Sequence, residues 1–225
     1  MFWEGAKMRI KIVKQVLDWN EDCSNEIKSI LKSKNVYLIN VMGSPGAGKT
    51  SLIIELIKKL KDTYNFAVVE GDIAGQVDAE KIDLLNIPVV QLNTKNDCHI
   101  EAMSIKNILQ YFDLDEIDII FIENIGNLVC PAEYDLGEDF KIAILSIPEG
   151  DDKVEKYPLL FSTTNALVLN KYDMMQYFDF DDNKVIKQSK DINPKSDIFK
   201  VSSRTGDGLE ALVNYIDEKA KIKIK

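Results

Sequence analysis

A chain of 225 residues, 45% hydrophobic and 29% charged, can bury one well-formed core and is too short for a second of that size. Its formal charge of −9, with no cluster of Lys and Arg, excludes a protein that works by gripping nucleic-acid phosphates. No apolar run reaches the roughly 18 residues of a membrane span, and Met1 to Met8 lacks the charged-then-apolar layout of a signal peptide, so a cytoplasmic protein that inserts into no membrane is expected.

Residues Met8 to Lys34 place Ile10, Val13, Val16 and Leu17, then Ile27, Ile30 and Leu31, three and four apart with charges between them. This spacing predicts one or two amphipathic helices, an extension over residues 1–34 that packs on the domain beginning at residue 35. Next comes an apolar segment of strand length, Val36 to Met42. It runs directly into Gly43-Ser44-Pro45-Gly46-Ala47-Gly48-Lys49-Thr50, which fits G-x-x-x-x-G-K-[ST], and then into a helical pattern from Ser51 to Leu60. Strand, glycine loop and helix are the context that pattern needs. The glycines let successive N–H groups turn inward around an anion, and the helix N-terminus adds its positive end. The loop Gly43, Ser44, Gly46, Ala47, Gly48, Lys49, Thr50 and Ser51 is therefore expected to bind a polyphosphate. Lys49 would reach the β- and γ-phosphates and the Thr50 hydroxyl would hold Mg²⁺.

Apolar segments recur at Phe66 to Val69, Val89 to Leu92, Ile117 to Ile122, Ile142 to Ile147, Ala166 to Leu169 and Ile198 to Val201. Helical patterns separate several of them, at Val77 to Leu85, Ile100 to Tyr111 and Leu209 to Ile216. Nearly continuous apolar strands alternating with helices predict an α/β fold, a three-layer P-loop NTPase with a mainly parallel sheet of about seven strands flanked by helices, over residues 35–225. Tyr172 to Pro194, with its acidic Asp179 to Asp182, reads as an insertion made of surface loop and a short helix. Lys219 to Lys225 reads as a solvated terminus.

In a parallel sheet ligands bind beyond the carboxyl ends of the strands, so the residues after each strand carry the information. Asp72, in Glu70-Gly71-Asp72, is expected to be a Mg²⁺-linked or water-positioning carboxylate, and Glu123, in Glu123-Asn124-Ile125-Gly126-Asn127, the second acidic residue of a nucleotide hydrolase. Gln76 lies where a switch segment is expected and reads as an ordinary solvent-facing side chain. The sixth strand ends in Asn170-Lys171-Tyr172-Asp173, whose carboxylate suits the ring N–H and exocyclic amine of guanine and would repel adenine. Ser202, Ser203 and Arg204 follow the last strand, where backbone N–H groups can meet guanine O6. Together these sites predict GTP. The two arginines, Arg9 and Arg204, offer no obvious charge for the γ-phosphate, so intrinsic hydrolysis is expected to be slow, on the order of 10⁻⁴ to 10⁻² s⁻¹.

The three cysteines are too few and too scattered for a disulfide framework. Cys23 reads as structural. Cys98 adjoins the sole histidine, His99, and Cys130 follows the fourth strand, so both segments can reach one edge of the sheet. Two thiols and an imidazole make a soft ligand set for Ni²⁺ or Zn²⁺, with buried, non-ligating residues as the plain alternative. Closing a four-coordinate site would take a water, Glu101 or a second copy of the chain.

Five segments together resemble the hydrogenase nickel-insertion GTPases, the HypB family: Gly43 to Thr50, Val69 to Ile73, Cys98-His99-Ile100-Glu101, Glu123 to Pro131 and Asn170 to Asp173. The resemblance spans about Val36 to Ile216. It implies a slow GTPase that assists nickel insertion during nickel-iron hydrogenase maturation, with a small nickel metallochaperone and the hydrogenase large-subunit precursor as partners. It also implies that Cys98, His99 and Cys130 hold nickel or zinc shared across a GTP-promoted homodimer, and that Lys153 contacts nucleotide across that dimer. Unlike some relatives, this sequence has no N-terminal cysteine cluster and no histidine-rich tract, so a nickel-storage role is not expected. The competing readings are a P-loop kinase of a small molecule, which Asn170 to Asp173 disfavours, and a non-catalytic metal-binding scaffold, which has no use for Lys49 and Thr50.

Overall fold

In a computed structural model the described residues are 3–72, 82, 85–93 and 98–224, with side chains described from Asp18 onward except that of Asp72. Seven strands form one sheet: β1 (Tyr37–Gly43), β2 (Phe66–Asp72), β3 (Val89–Asn93), β4 (Ile119–Glu123), β5 (Phe140–Ser146), β6 (Ala166–Asn170) and β7 (Asp197–Lys200). Their order is β3-β2-β4-β1-β5-β6-β7, and every pairing is parallel. Strand limits fall within two residues of those expected from the apolar runs, except that β2 runs three residues past Val69 to Asp72.

The alternation within each strand sorts its side chains onto two packed faces. On one, Ile39, Val41, Val68, Phe121, Ile142 and Val168 meet α2 (Lys49–Leu60) and α7 (Leu209–Lys223). On the other, Leu38, Ala67, Val69, Ile120 and Ile122 meet α1 (Trp3–Lys34) and α3 (Ala102–Ile108). Farther along that second face, Met42, Ala143, Leu145, Leu167 and Leu169 meet α5 (Pro158–Thr163) and α6 (Asp182–Ile192), with the single-turn α4 (Lys153–Lys156) beside them. Burial on both faces explains why the strands read as unbroken apolar runs.

Two elements depart from expectation, and a third settles an alternative left open. The N-terminal segment is a single helix of 32 residues. Between Leu17 and Ile27 it is Cys23, buried with Ile27 and Leu31 on the i, i+4, i+8 line, that continues the apolar stripe. The helix stops where Asn35 takes a left-handed φ of 55° and Val36 N–H bonds back to Leu31 O at 3.0 Å. Tyr172 to Pro194 is the β6–β7 crossover rather than an insertion. Its acidic patch starts α6, with Asp181 as N-cap accepting from Lys184 N–H at 3.0 Å, and Val185 is buried in the core; a parallel pair cannot be joined without such a connection. The Lys-rich end is helical as far as Lys223. Ala220 is buried and Lys223 Nζ pairs with Asp139 Oδ2 at 2.5 Å, so this segment is docked and not a solvated tail.

The helix expected over Val77 to Leu85 and Gln76 itself lie outside the described residues, except for buried Ile82 and Leu85 packed against the same core. Among the described residues no helix is long and apolar enough to cross a membrane.

Candidate functional site

The chain moves to one side of β1 for β2 and β3, returns to β4 and leaves on the other side for β5 to β7, so the direction changes around β1. That is where a doubly wound sheet opens a crevice at its carboxyl edge. Gly43 closes β1 and the loop from it to α2 lies in that crevice. Gly46 and Gly48 have φ of 75° and 96°, a region glycine enters without penalty. A Cβ on Gly48 would lie 2.5 Å from Asn170 Nδ2, and one on Gly43 would lie 2.7 Å from Ile144 O, so both positions need glycine for space. Lys49, at the start of α2, turns its ammonium back over the loop, 3.3 Å from both Gly43 O and Ser44 O.

Thr50 Oγ1 donates to Glu123 Oε1 at 2.8 Å, joining the first turn of α2 to the end of β4. The sheet register sets Glu70 opposite Glu123, and both are buried, which adds a carboxylate the sequence reading had passed over in favour of Asp72. The backbone of Asp72 ends β2; its side chain lies outside the described residues.

At the other end of the loop Asn170 acts as a brace. Its Nδ2 donates to Ala47 O at 3.0 Å while its Oδ1 accepts from Ser203 N–H and Oγ–H at 3.2 and 2.9 Å. Lys171 Nζ donates to Gly46 O at 2.7 Å, and Asp173 Oδ1 accepts from Ser202 Oγ at 2.7 Å. The residues expected at a guanine site, Asn170, Lys171, Asp173, Ser202 and Ser203, thus form one connected group beside the glycine loop. Arg204 follows in the same turn and is exposed. Lys153 pairs with its neighbour Asp152 at 2.7 Å. Lys153 and then Lys156 hold the Asp152 carboxyl down to about 2.

The second cluster lies on the same edge. Cys98 Sγ is 2.9 Å from Cys130 Sγ and 3.6 Å from His99 Nδ1, and ligand atoms of the three residues all fall within 4.8 Å of one another. Neither cysteine forms a disulfide. The ring of Tyr134 stacks on His99 with centroids 3.9 Å apart and fixes the plane of the imidazole. Burial, then the Glu101 and Glu133 carboxylates, push the Tyr134 phenol above its ordinary range. His99 Nε2 is buried, with Glu101 Oε1 3.9 Å away and no hydrogen-bond partner among the described residues. Two sulfurs and an imidazole with an unsatisfied nitrogen suit a soft or borderline cation.

A family model described as the CobW/HypB/UreG nucleotide-binding domain matches residues 37–200. The hydrogenase maturation factor HypB of Escherichia coli strain K12 is 38% identical over 213 residues, covering 95% of this chain and 73% of that protein. The chain belongs to the HypB family. A crystal structure of HypB from Helicobacter pylori in complex with nickel superposes with a TM-score of 0.85 at 36% identity, covering 92% of this chain and 97% of that one. HypB from Archaeoglobus fulgidus gives 0.86 at 31%, covering 91% and 100%.

Two residues of this HypB-family chain brace the thiol cluster; Asn20 escaped the sequence reading, and Asn127 entered it only as part of the resembling segment Glu123 to Pro131, with no role of its own. Asn20 of α1 accepts from Ala102 N–H at 2.9 Å through Oδ1 and donates to Asp135 O at 2.9 Å through Nδ2. One amide thereby holds the segment after Cys98 against the segment after Cys130. Asn127 is the second. Its Nδ2 donates to Cys98 O at 3.1 Å and its Oδ1 accepts from Val129 N–H at 2.9 Å. A surface asparagine on a helix carries no distinguishing signal in a single sequence, and for both residues only the fold brings their partners to them.

Proposed function

We propose that this chain is a GTP-binding, slowly GTP-hydrolysing switch that carries nickel during maturation of a nickel-iron hydrogenase. The observation that carries the reading is the placement of a Cys98, His99 and Cys130 cluster on the same sheet edge as a complete glycine loop, one short segment away from it. The hydrogenase client follows from the name of the relatives, and nickel from the complex of the Helicobacter pylori protein.

The Gly43–Thr50 loop and Ser51 hold the phosphates through backbone N–H groups, with Lys49 supplying a positive charge at the mouth. Asp173 selects guanine, and Asn170, Lys171, Ser202, Ser203 and Arg204 shape the base end. Thr50 and Glu123 place a hydroxyl and a carboxylate oxygen 2.8 Å apart, a hard-donor pair that fits Mg²⁺, with Asp72 as the further carboxylate. Mg²⁺ bound there would neutralise charge on the β- and γ-phosphates. Lys49, Asp72 and Glu123 are the residues assigned to hydrolysis. With no arginine assigned to the γ-phosphate, turnover is slow and suits a switch.

Cys98, His99 and Cys130 hold Ni²⁺, or Zn²⁺ in its place. One chain supplies three ligands, so a second copy related by a twofold axis completes the coordination in a GTP-promoted homodimer, where Lys153 reaches the partner's nucleotide. A small nickel metallochaperone delivers the metal and the hydrogenase large-subunit precursor receives it, in the cytoplasm.

The test is Ni²⁺ and Zn²⁺ binding by the reduced, tag-free protein with GDP and then with a non-hydrolysable GTP analogue, while light scattering reports mass. The reading expects tighter or shared metal and doubled mass in the triphosphate state. Absence of metal binding in both states refutes the carrier role, and turnover of tens per second refutes the switch.

A further inference from the structure

Gly126 and Asn127 fill the space between the glycine loop and the thiol cluster. A Cβ on Gly126 would lie 2.7–2.9 Å from the Cγ, N and Cα atoms of Pro45, so the two loops touch backbone to ring. The backbone of Asn127 pairs in antiparallel fashion with Gly43, the first residue of the glycine loop. Its side chain reaches the opposite way. Nδ2 donates to Cys98 O at 3.1 Å, and Oδ1 accepts from Val129 N–H at 2.9 Å in the turn that leads to Cys130. If Asn127 merely shaped its own turn, the bond to Val129 would suffice. The bond to Cys98, 29 residues away in sequence, serves no local purpose.

We propose that Asn127 is a positioning residue that couples nucleotide state to the thiol site. The proposal rests on the GTP- and metal-binding reading above. Because its backbone is fastened to Gly43, a shift of the glycine loop on exchange of GDP for GTP moves Asn127. Its amide then carries that shift to the Cys98 backbone and, through Val129, to Cys130. Both bonds go to backbone atoms, so Asn127 is not a metal ligand; it sets the distance between the segments that bear them. Linkage is reciprocal, so the same residue makes bound metal alter nucleotide affinity by the same factor, typically about 5- to 150-fold.

The experiment compares Zn²⁺ affinity, by competition with a chromophoric chelator, in the GDP and non-hydrolysable-GTP states of wild type, Asn127→Ala and Asn127→Ser. Thermal melts accompany each measurement. Serine can still accept from Val129 N–H but is too short to reach Cys98 O, so it separates the coupling bond from the turn. Wild type is expected to show a ratio of affinities of at least about fivefold. Both variants should bring that ratio to within about twofold of one, whatever the absolute Zn²⁺ affinity, while GDP affinity without metal stays within about threefold of wild type. The same ratio in the variants overturns the proposal. So does an equal loss of Zn²⁺ affinity in both nucleotide states, which would make Asn127 a plain support. A wild-type ratio of one overturns coupling but leaves the binding reading intact, whereas a wild type that binds neither GTP nor Zn²⁺ overturns both.

Discussion

Asn20→Ala removes a side chain of the N-terminal helix that by itself bonds both thiol-bearing segments. Two hydrogen bonds disappear, to Ala102 N–H and to Asp135 O, both 2.9 Å long and partly buried. A net value of about 0.5–1.5 kcal/mol for each gives a loss of about 1–3 kcal/mol. The Ala102 N–H also opens α3, where Glu101 at the N-cap makes no side-chain bond, so Asn20 supplies from another helix the cap that α3 lacks. Cys98 and Cys130 sit on either side of this clamp, and a preorganised pair spends less of its binding energy on ordering. If the whole loss falls on metal binding, affinity drops about 5- to 150-fold, at about 1.4 kcal/mol per factor of ten.

The control is Lys28→Ala. Lys28 also holds Asp135, by an ion pair of 2.6 Å, yet its side chain and that of Asp135 are 43% and 44% exposed. Water screens such a pair to about 0–1 kcal/mol, so less than about a fivefold change is expected. Nickel titration by calorimetry or chelator competition reads both variants, with GDP affinity measured alongside. Asn20 makes no hydrogen bond to the glycine loop, so GDP affinity should hold. Asn20→Ala that binds nickel within about twofold of wild type, or that loses GDP and nickel equally, refutes the clamp.

Gly48→Ala places a side chain at φ 96° and 2.5 Å from Asn170 Nδ2. The left-handed strain of about 1–2 kcal/mol together with a displaced brace should weaken GDP binding at least about tenfold, measured with a fluorescent analogue; wild-type affinity would contradict the loop geometry. Asp173→Asn leaves guanine's two donors facing an amide that carries no charge. Two charge-assisted bonds of about 1.5–3 kcal/mol each set the loss of GTP at about 10²- to 10⁴-fold, with xanthosine triphosphate gaining, in a competition assay. Unchanged selectivity would remove Asp173 from the base site. Glu138, buried beneath the β4 loop, accepts from Asn40 Nδ2 at 3.1 Å and Leu136 N–H at 2.7 Å. Burial raises its carboxyl above the ordinary 4.5, with Lys141 opposing and Asp135 adding. The folded state therefore takes up a proton, a contribution fully present below the unfolded value and lost as pH rises through the folded one. Relative to Glu138→Gln, wild type should lose stability as pH climbs above about 4.5; melting curves that run parallel across pH would refute this.

The sheet was legible because both of its faces are covered. Strands such as Ile119 to Glu123 have no polar alternation to blur them, and the glycine loop announced where the first one ends. The thiol cluster was legible as well, since parallel strands deliver Cys98 and Cys130 to one edge whatever the helices do. Side chains whose importance depends on a distant partner were not. Asn20 acquires its role from residues 82 and 115 positions away, and Asn170, assigned to nucleotide from its motif, spends both its amide oxygen and its amide nitrogen bracing protein segments. Whether α1 was one helix or two stayed open for a related reason. Its apolar stripe passes through a cysteine, a residue whose chemistry draws attention away from its size and burial.

The arrangement bears on how a switch of this kind works. In the proposed reading, Glu123 faces Mg²⁺, Gly126 abuts the glycine loop at Pro45, Asn127 is pinned to Gly43 and Cys130 is a metal ligand. All four belong to one run of eight residues that begins with the last residue of β4. No long path of side chains is then required to carry information between nucleotide and metal. Its near end is held by a buried chain in which Asn124 Nδ2 donates to Asn40 Oδ1 at 3.2 Å and Asn40 in turn donates to Glu138. With that end fixed in the core, movement imposed by the glycine loop is confined to residues 125–130. A short segment anchored at one end and bonded to both sites has few ways to move without changing the spacing of Cys98 and Cys130, which is what a nucleotide-gated metal site requires.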